Sequence, residues 1–264
     1  MEKAAPYAAL APLYDRTVGA RFFSGLRRAF EELVRRYGLR FRTAVDLGCG
    51  TGLFACWLAR RYGVAVLAVD RSSAMLQAAL RSCRDCRVGF LQQDLRELEL
   101  ARRVDLATAN YDTMNHLLGE RDFRCVLHRV CAALAPGGHF IFDLLTDRQR
   151  PQAHRIGLCP AGLRSVRLWQ RIRWIPGRAL LVTRVSLTHR GRERWEEHVE
   201  RGYDPVAVAR WLQHAGFEIR ALLDGPSLSQ ARAGSRRVVF VARRIDHPHH
   251  RRQIAVKEDT DVFP

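Results

Sequence analysis

The sequence predicts an α/β fold in which helices cover both faces of a mostly parallel β-sheet. Between Thr43 and Leu145, short β-rich runs alternate with helical patterns, and this alternation is typical of a doubly wound sheet. A glycine-rich turn follows the first of these strands, and an aspartate ends each of the next two. Ligands bind at the carboxyl ends of the strands in such sheets, so we expect the functional site there.

Length and composition favour one domain with an insertion. The chain has 264 residues, of which 47% are apolar, and this is enough for one substantial core. No apolar signal core follows Met1 and no apolar run approaches about 18 residues, which predicts a cytoplasmic protein that makes no contact with membranes. The seven cysteines are scattered and odd in number, which favours reduced thiols over a disulfide framework.

The net charge of +17 raises the question of a polyanionic partner, because basic residues neutralise phosphates. Only Lys3 and Lys257 are lysines, and the arginines that make up the rest of the 44 basic residues are spread along the whole chain. This even spread favours a solvated surface over a dedicated nucleic-acid face. We therefore expect little nucleic-acid binding, without excluding it.

The turn after the first strand carries glycines at alternate positions, Gly48, Gly50 and Gly52. Glycine lets the backbone approach a ligand closely, and the helix that follows offers free N–H groups. A P-loop is excluded because no Gly-Lys-Ser/Thr follows. A dinucleotide site stays open, because Gly50-x-Gly52-x-x-Ala55 fits the dinucleotide fingerprint and Asp70 lies 20 residues beyond Gly50.

When the same turn is aligned from Asp46, its pattern Asp46-x-Gly48-x-Gly50-x-Gly52 resembles the first motif of class I S-adenosylmethionine (SAM) methyltransferases. The resemblance continues through four more segments in the order and spacing of that family. These segments, which together with the first motif span about residues 41 to 145, end at Asp70, Asp94, Asn110 and Asp143. Five matching segments are a far more specific signal than one glycine motif.

The resemblance implies a Rossmann-like class I methyltransferase fold. Its sheet would have seven strands, mostly parallel, with the last strand antiparallel. An N-terminal helical cap would precede the core, and an antiparallel β lid would be inserted in it. The expected segments are the cap over 1–40, the SAM-binding core over 41–145, the β-rich lid over 146–204, the last helix and strands of the core over 205–244, and a disordered tail over 245–264.

The predicted lid occupies an interval that is too long for a bare loop. Three stretches in it look like strands, namely Val166 to Ile175, Ala179 to Thr188 and Arg194 to Tyr203. The breaks between them, at Pro176-Gly177-Arg178 and around Gly191, are hairpin-like. We interpret the segment as an antiparallel lid over the pocket of the methyl acceptor.

The resemblance also implies SAM as the cofactor and assigns residues to it. Asp70 would hold the ribose hydroxyls, and Asp94 would face the adenine amino group. Tyr7 and Tyr14 lie in the cap, where a ring can face a sulfonium and a phenol can donate to a carboxylate. The residues expected to bind SAM are Tyr7, Tyr14, Asp46, Gly48, Cys49, Gly50, Gly52, Asp70, Arg71, Met75, Asp94, Leu95, Asn110, Tyr111 and Asn115.

The segment from Asn110 to Leu117 resembles the rim of the methyl-transfer site in small-molecule methyltransferases. No prolines follow Asn110, unlike in enzymes that methylate base amines of nucleic acids. His116 is the candidate base, because its ordinary pKa lies near neutrality, and Tyr14 is the second catalytic candidate. The residues expected to contact the acceptor are Tyr111, His116, His198 and Arg201. His198 and Arg201 should lie on opposite faces of one strand, so at most one is expected in the pocket.

The sequence therefore predicts a SAM-dependent methyltransferase that acts on a nitrogen or oxygen atom of a small molecule, as a monomer or homodimer. An RNA methyltransferase that uses the basic surface is one alternative, and a non-catalytic SAM- or nucleotide-binding protein is another. No metal is expected, because the single Cys83-x-x-Cys86 motif has no second pair at zinc spacing.

Overall fold

The computed structural model describes residues 2–84, 86–149, 154–158, 166–189, 191–225 and 227–245. The strands are β1 (Glu2–Lys3), β2 (Thr43–Leu47), β3 (Ala65–Asp70), β4 (Val88–Gln92), β5 (Val104–Ala109), β6 (Leu134–Leu145), β7 (His154–Leu158), β8 (Val166–Ile175), β9 (Leu180–His189), β10 (Arg192–Arg201), β11 (Phe217–Asp224) and β12 (Arg237–Arg244). The α-helices are α1 (Ala20–Tyr37), α2 (Leu53–Tyr62), α3 (Ser73–Ser82), α4 (Glu120–Ala133) and α5 (Pro205–His214).

The central sheet has seven strands in the order β11-β12-β6-β5-β2-β3-β4. Strands β2 to β6 pair with one another in parallel, and β12 is antiparallel to both β6 and β11. The predicted doubly wound, mostly parallel sheet is thereby confirmed. The chain proceeds outward in opposite directions from β2 and β5, so a crevice opens at their carboxyl ends.

Both faces of this sheet are buried, which explains the apolar runs in the sequence. On one face Phe123 of α4 belongs to a cluster with buried residues of β5 and β6. On the other, Phe30 of α1 and Phe54 of α2 pack with their ring centroids 5.2 Å apart. Within the sheet, Phe142 and Phe240 stack at 4.9 Å. The position of the crevice is fixed by this core.

The second sheet has five strands in the order β1-β10-β9-β8-β7. Strands β8, β9 and β10 form an antiparallel meander close to the predicted strand bounds. Strand β7 extends the meander beside β8, and β1 extends it beside β10. Strand β1 comes from the segment that was predicted to form a helical cap. The amide of Ala4 continues this parallel pairing by donating to the Trp195 carbonyl at 2.8 Å. The free edge of β10 leaves backbone groups unpaired, so it captures the start of the chain.

After β1 the chain forms two short turns, Ala11–Leu13 and Asp15–Gly19, and then α1. Helix α1 is amphipathic, and it is capped at its carboxyl end by Gly38 in the left-handed conformation. Within the described residues, no helix combines the length and apolar character that crossing a membrane requires. The predicted disordered tail over 245–264 lies, apart from residue 245, outside the described residues.

A disulfide joins Cys56 of α2 to Cys83, which follows α3. The expectation of reduced thiols is wrong for this pair. The two helices are successive connections of the sheet, and their packing brings the two Cα atoms to 6.0 Å. Cys49, Cys86 and Cys125 are free thiols.

Candidate active site

A cavity of about 360 Å³ lies in the crevice at the carboxyl ends of β2, β3, β4 and β5. Its floor is the glycine-rich turn between β2 and α2. Its sides come from the residues that follow β3, β4 and β5, and the N-terminal segment from Pro6 to Phe23 closes it from a further side. The position agrees with the crevice expected for a doubly wound sheet.

The glycine turn is shaped by two residues with left-handed backbone conformation, Gly48 (φ +64°) and Gly50 (φ +55°). A Cβ atom on Gly48 would collide with the side chain of Thr113. A Cβ atom on Gly50 would meet nothing within 4 Å, because this glycine borders the cavity. Gly48 is therefore needed for packing, and Gly50 for the backbone conformation that exposes the turn to a ligand.

Carboxylates at the strand ends hold the turn and face the cavity. Asp46 is 2% exposed, and it accepts hydrogen bonds from the Thr108 hydroxyl at 2.8 Å and the Asn110 amide at 3.4 Å. Burial raises the pKa of Asp46 to about 7. Asp70 accepts from the amides of Gly50 and Ser72, each at 2.8 Å, and burial raises its pKa as well. The carboxylate of Asp70 thus holds the glycine turn in place through the Gly50 amide.

Asp94 stands at the opposite, more exposed end of the cavity. It caps the short turn Leu95–Glu97, and both of its carboxylate oxygens accept hydrogen bonds from Arg96. The Arg96 side chain lowers the pKa of Asp94. This carboxylate therefore stays ionised at the rim of the cavity.

The N-terminal segment is anchored on two sides of the cavity. The amides of Ala9 and Leu10 donate to one carboxylate oxygen of Glu196 in β10, at 2.9 and 3.4 Å. On the other side, the Thr51 hydroxyl of the glycine turn donates to Asp15 at 2.6 Å. These contacts place the segment between the second sheet and the glycine turn.

Tyr7 and His116 meet at the inner end of the cavity. The Tyr7 hydroxyl lies 3.0 Å from Nε2 of His116, and Oε1 of Glu200 in β10 lies 3.7 Å from the same nitrogen. Burial lowers the pKa of His116 to about 4, so its imidazole is neutral at physiological pH. Burial raises the pKa of Tyr7, and also that of Tyr14, to about 12 in the latter case. Both phenols therefore keep their protons.

The turn that carries His116 begins with strained backbone. Tyr111 (φ +54°) and Asp112 (φ +63°) are both left-handed, which costs non-glycine residues about 1–2 kcal/mol each. Arg237 of β12 donates to Asp112 at 2.8 Å and also to Asp143 of β6. These ion pairs hold the turn, and strain of this kind is common at functional sites.

Comparison with known proteins identifies the family. A family model described as a methyltransferase domain matches residues 44–138. The trans-aconitate 2-methyltransferase of Azoarcus sp. (strain BH72) is 30% identical over 211 residues, which are 78% of this chain and 81% of the relative. The chain belongs to the class I SAM-dependent methyltransferases.

Two solved structures share the fold of this methyltransferase. The SAM-dependent methyltransferase from Clostridium acetobutylicum has a TM-score of 0.76 at 24% identity, over 91% of this chain and 99% of that one. The SAM-bound amino pentose methyltransferase of calicheamicin biosynthesis from Micromonospora echinaspora has a TM-score of 0.65 at 21% identity, over 86% and 96%. These values show a shared architecture.

SAM is the cofactor of this methyltransferase, and the residues of the cavity fit it. The Gly50 side of the turn is open to a ligand, and carboxylates able to accept from hydroxyl and amino groups stand at the ends of β3 and β4. Tyr7 and Tyr14 provide aromatic rings for a sulfonium. The Tyr111 hydroxyl is buried without a hydrogen-bond partner in the described part of the chain.

Most residues assigned to the site of the methyltransferase from its sequence do line the cavity. They come from four strand ends, the glycine turn and the N-terminal segment. They are Tyr7, Tyr14, Asp46, Gly48, Cys49, Gly50, Asp70, Arg71, Met75, Asp94, Leu95, Asn110, Tyr111 and His116.

Gly52 and Asn115 do not line the cavity. Gly52 precedes α2 and packs against Cys83, whose sulfur would lie 3.0 Å from a Cβ atom at this position. Asn115 is fully buried, and its side-chain amide donates to the carbonyls of Leu145 at 3.0 Å and Arg201 at 2.6 Å. Asn115 therefore ties its turn to β6 and β10, which corrects the expected contact with SAM.

His198 and Arg201 lie on opposite faces of β10, as expected, but neither lines the cavity. His198 is 5% exposed, bonds to Glu196 at 3.0 Å and lies behind the ring of Tyr7, with centroids 4.1 Å apart. Arg201 donates to the Leu118 carbonyl at 3.0 Å and to Glu120. Both residues were predicted as candidate contacts of the acceptor. In the structure, His198 instead packs against Tyr7, and Arg201 holds the segment at Leu118 and Glu120.

Glu196 and Glu200 were not predicted from the sequence to lie near the site. Both share the face of β10 that carries His198, because side chains two residues apart in a strand point the same way. The alternation of ionisable residues at 196, 198 and 200 is visible in the sequence. This alternation indicates that one face of the strand is polar and directed at a site. It does not indicate which segments of the chain contact that face.

Proposed function

We propose that this methyltransferase transfers the methyl group of SAM to a nitrogen or oxygen atom of a small molecule. The observation that carries the proposal is the closure of the cavity at its inner end by Tyr7 and His116. The N-terminal segment lines this end and is itself held by Glu196 of β10. A cavity of about 360 Å³ suits a small ligand better than a basic surface patch would. The relatives named above support the proposal, since their names give trans-aconitate and an amino pentose as acceptors.

In this proposal the strand ends bind SAM. Asp70 accepts hydrogen bonds from the ribose hydroxyls, and Asp94 and Leu95 border the adenine. The backbone of Gly48, Cys49 and Gly50 faces the methionine part, with Arg71, Met75 and Asp46 beside it. Tyr14 and Tyr111 bring aromatic surface to the sulfonium end, where a ring face attracts a cation.

SAM supplies an activated methyl group when bound, so the protein needs to orient the acceptor and exclude water. Tyr7 and His116 line the cavity and are bonded to each other, and in this proposal the pair orients the acceptor. The segment from Pro6 to Phe23 excludes water. The neutral imidazole of His116 has a lone pair that can accept a hydrogen bond or a proton.

Isothermal titration calorimetry with SAM, S-adenosylhomocysteine and NAD tests the proposed site. Asp70→Ala removes acceptors for two hydroxyls and should weaken SAM binding by about 10- to 150-fold, equivalent to about 1.5–3 kcal/mol. The control Asp147→Ala alters an exposed carboxylate outside the cavity and should bind SAM normally. Unchanged affinity in Asp70→Ala, or tighter binding of NAD than of SAM, would contradict the assignment.

A further inference from the structure

We propose that the acceptor is an amine that reaches the site as a cation, and that the carboxylate of Glu200 binds it and takes its proton. This inference rests on the proposed function and narrows it to one class of acceptor. It begins from the contrast between two glutamates on the same face of β10, Glu196 and Glu200.

Glu196 is fully engaged. One oxygen of its carboxylate accepts from the amides of Ala9 and Leu10, and the other lies 3.0 Å from His198. It is 1% exposed. Glu196 is therefore a structural carboxylate, and its hydrogen bonds explain why its burial is tolerated.

Glu200 differs in that its carboxylate accepts no hydrogen bond from any described residue. Its carboxylate lies 3.7 Å from Nε2 of His116, and its side chain is 14% exposed. The same nitrogen is already bonded to the Tyr7 hydroxyl, and both His116 and Tyr7 line the cavity. Glu200 is not itself a lining residue, but it lies directly next to His116 with its hydrogen-bonding capacity unused.

The surroundings of Glu200 hold more carboxyl groups than cations. The charged groups that act on it are Asp112 after β5, Asp143 of β6 and Arg237 of β12. Arg237 is already paired with both aspartates, and the neutral His116 contributes no charge. Burial and the two aspartates raise the pKa of Glu200 to about 8, so its charged form is disfavoured while no further cation is present. A cationic ligand beside Glu200 would favour the ionised carboxylate.

An ammonium group supplies this charge, whereas a hydroxyl group does not. The carboxylate takes one proton from the ammonium and becomes a carboxylic acid, and the nitrogen gains a free electron pair. This pair forms the nitrogen–carbon bond while the carbon–sulfur bond of the donor breaks and sulfur keeps its electrons. The product is a methylated ammonium, and the proton on Glu200 passes to solvent. His116 is less suited to this step because its Nε2 is engaged with Tyr7.

The test compares the binding of sinefungin and S-adenosylhomocysteine to the full chain by calorimetry at pH 7. Sinefungin carries a protonated amine where SAM carries its methyl group, while S-adenosylhomocysteine is uncharged there. The wild-type protein should bind sinefungin at least about 10-fold more tightly, as expected for a charge-assisted hydrogen bond. Glu200→Gln should abolish most of this preference and leave the affinity for S-adenosylhomocysteine within about two-fold.

Glu197→Gln is the matched control. Glu197 is the same residue type in the same strand, but it lies on the opposite face and pairs with Arg184 at 3.3 Å. This variant should keep the wild-type preference for sinefungin. A loss of equal size in both variants would show a general effect of charge and would overturn the role of Glu200.

The outcomes separate the two proposals. If S-adenosylhomocysteine does not bind, the proposed function fails. If it binds and the wild type shows no preference for sinefungin, the amine inference is overturned and the proposed function stands. This comparison needs no variant, so it holds even if Glu200→Gln does not fold.

Discussion

Nε2 of His116 lies 3.0 Å from the hydroxyl of Tyr7, a residue 109 positions earlier in the chain. His116 belongs to the turn after β5, whereas Tyr7 belongs to the segment that β10 captures. The contact therefore joins the core to the covering segment at the end of the cavity where we propose that the methyl group is transferred. The proposed chemistry then depends on how this segment is docked.

Replacing His116 tests whether it acts as a base. If His116 accepted the proton, His116→Ala would lower turnover by about 10²-fold or more. Because we assign the proton to Glu200, we expect a smaller loss, which reflects poorer orientation of the acceptor. Tyr7→Phe is the companion variant, because it keeps the ring and removes the hydroxyl. Cofactor affinity should change little in either variant.

The pH profile of turnover distinguishes the roles of His116. Burial lowers the pKa of this residue to about 4, so the imidazole is neutral throughout the range from pH 6 to 9. Turnover by the wild type should therefore show no inflection at pH 6.5, the ordinary pKa of histidine. An inflection there that disappears in His116→Ala would contradict this view, and normal turnover in His116→Ala would leave the residue a structural role only.

Asp46 should make the protein less stable as the pH rises. Its folded-state pKa is raised to about 7 by burial, so the folded state holds a proton that the unfolded state loses above about pH 4. The protonated carboxyl of Asp46 therefore contributes to the free energy of unfolding at low pH, and this stabilisation is lost as the pH rises from about 4 to 7. Asp46→Asn should therefore gain about 2–3 kcal/mol relative to the wild type between pH 5 and pH 8.

Urea unfolding of the cofactor-free protein at both pH values measures this effect. Asp105→Asn is the contrasting variant. Burial opposes ionisation of Asp105, but the hydrogen bonds from Arg42 and Thr43 outweigh it and lower its pKa. Asp105 is therefore ionised in both states above pH 5, and its replacement should cost the same at pH 5 and pH 8. An equal effect of Asp46→Asn at the two pH values would refute the prediction.

Glu196→Ala should release the N-terminal segment. The variant removes the acceptor of the Ala9 and Leu10 amides and the partner of His198. Hydrogen exchange at residues 9 and 10 should then become at least about 10-fold faster, because local opening costs less. Glu197→Ala, on the exposed face of the same strand, is the control. Unaltered protection of these amides in Glu196→Ala would show that other contacts hold the segment.

Reduction of the Cys56–Cys83 disulfide should destabilise the fold. The bridge spans 27 residues, and closing a loop of this length restricts the unfolded chain by about 3.5 kcal/mol in the chain-entropy treatment. The midpoint of urea unfolding should therefore fall in dithiothreitol and in Cys56→Ser. Cys125→Ser alters an exposed free thiol, so this substitution should not lower the midpoint of urea unfolding. Equal stability with and without reductant would contradict the prediction.

The sequence predicts which strand-end residues line the cavity better than it predicts the contacts around Tyr7 and His116, where we propose that the acceptor binds. The difference has a physical reason. Gly48, Asp70 and Asn110 each follow a strand whose pattern is local, so the parallel sheet alone brings them together. Asn115 resembled a ligand-binding residue, but its partners are carbonyls of two remote strands.

The acceptor half depends on contacts between distant segments. Tyr7 reaches His116 only because β1 pairs with β10, and Glu200 faces them because of the register of that strand. No periodicity in the sequence encodes which segment an edge strand captures. The same reason explains the disulfide, which depends on the packing of α2 and α3 against one another.

The pairing of β1 with β10 has a consequence for the order of folding. The partner strand of β1 is synthesised roughly 190 residues later, and contacts this distant in sequence form late. The central sheet from β2 to β6 can assemble on the ribosome before β10 exists, since its strand pairs are local. The covering segment is thus made before the core and docks after it, so a nascent chain presents an open cofactor crevice until β10 has emerged.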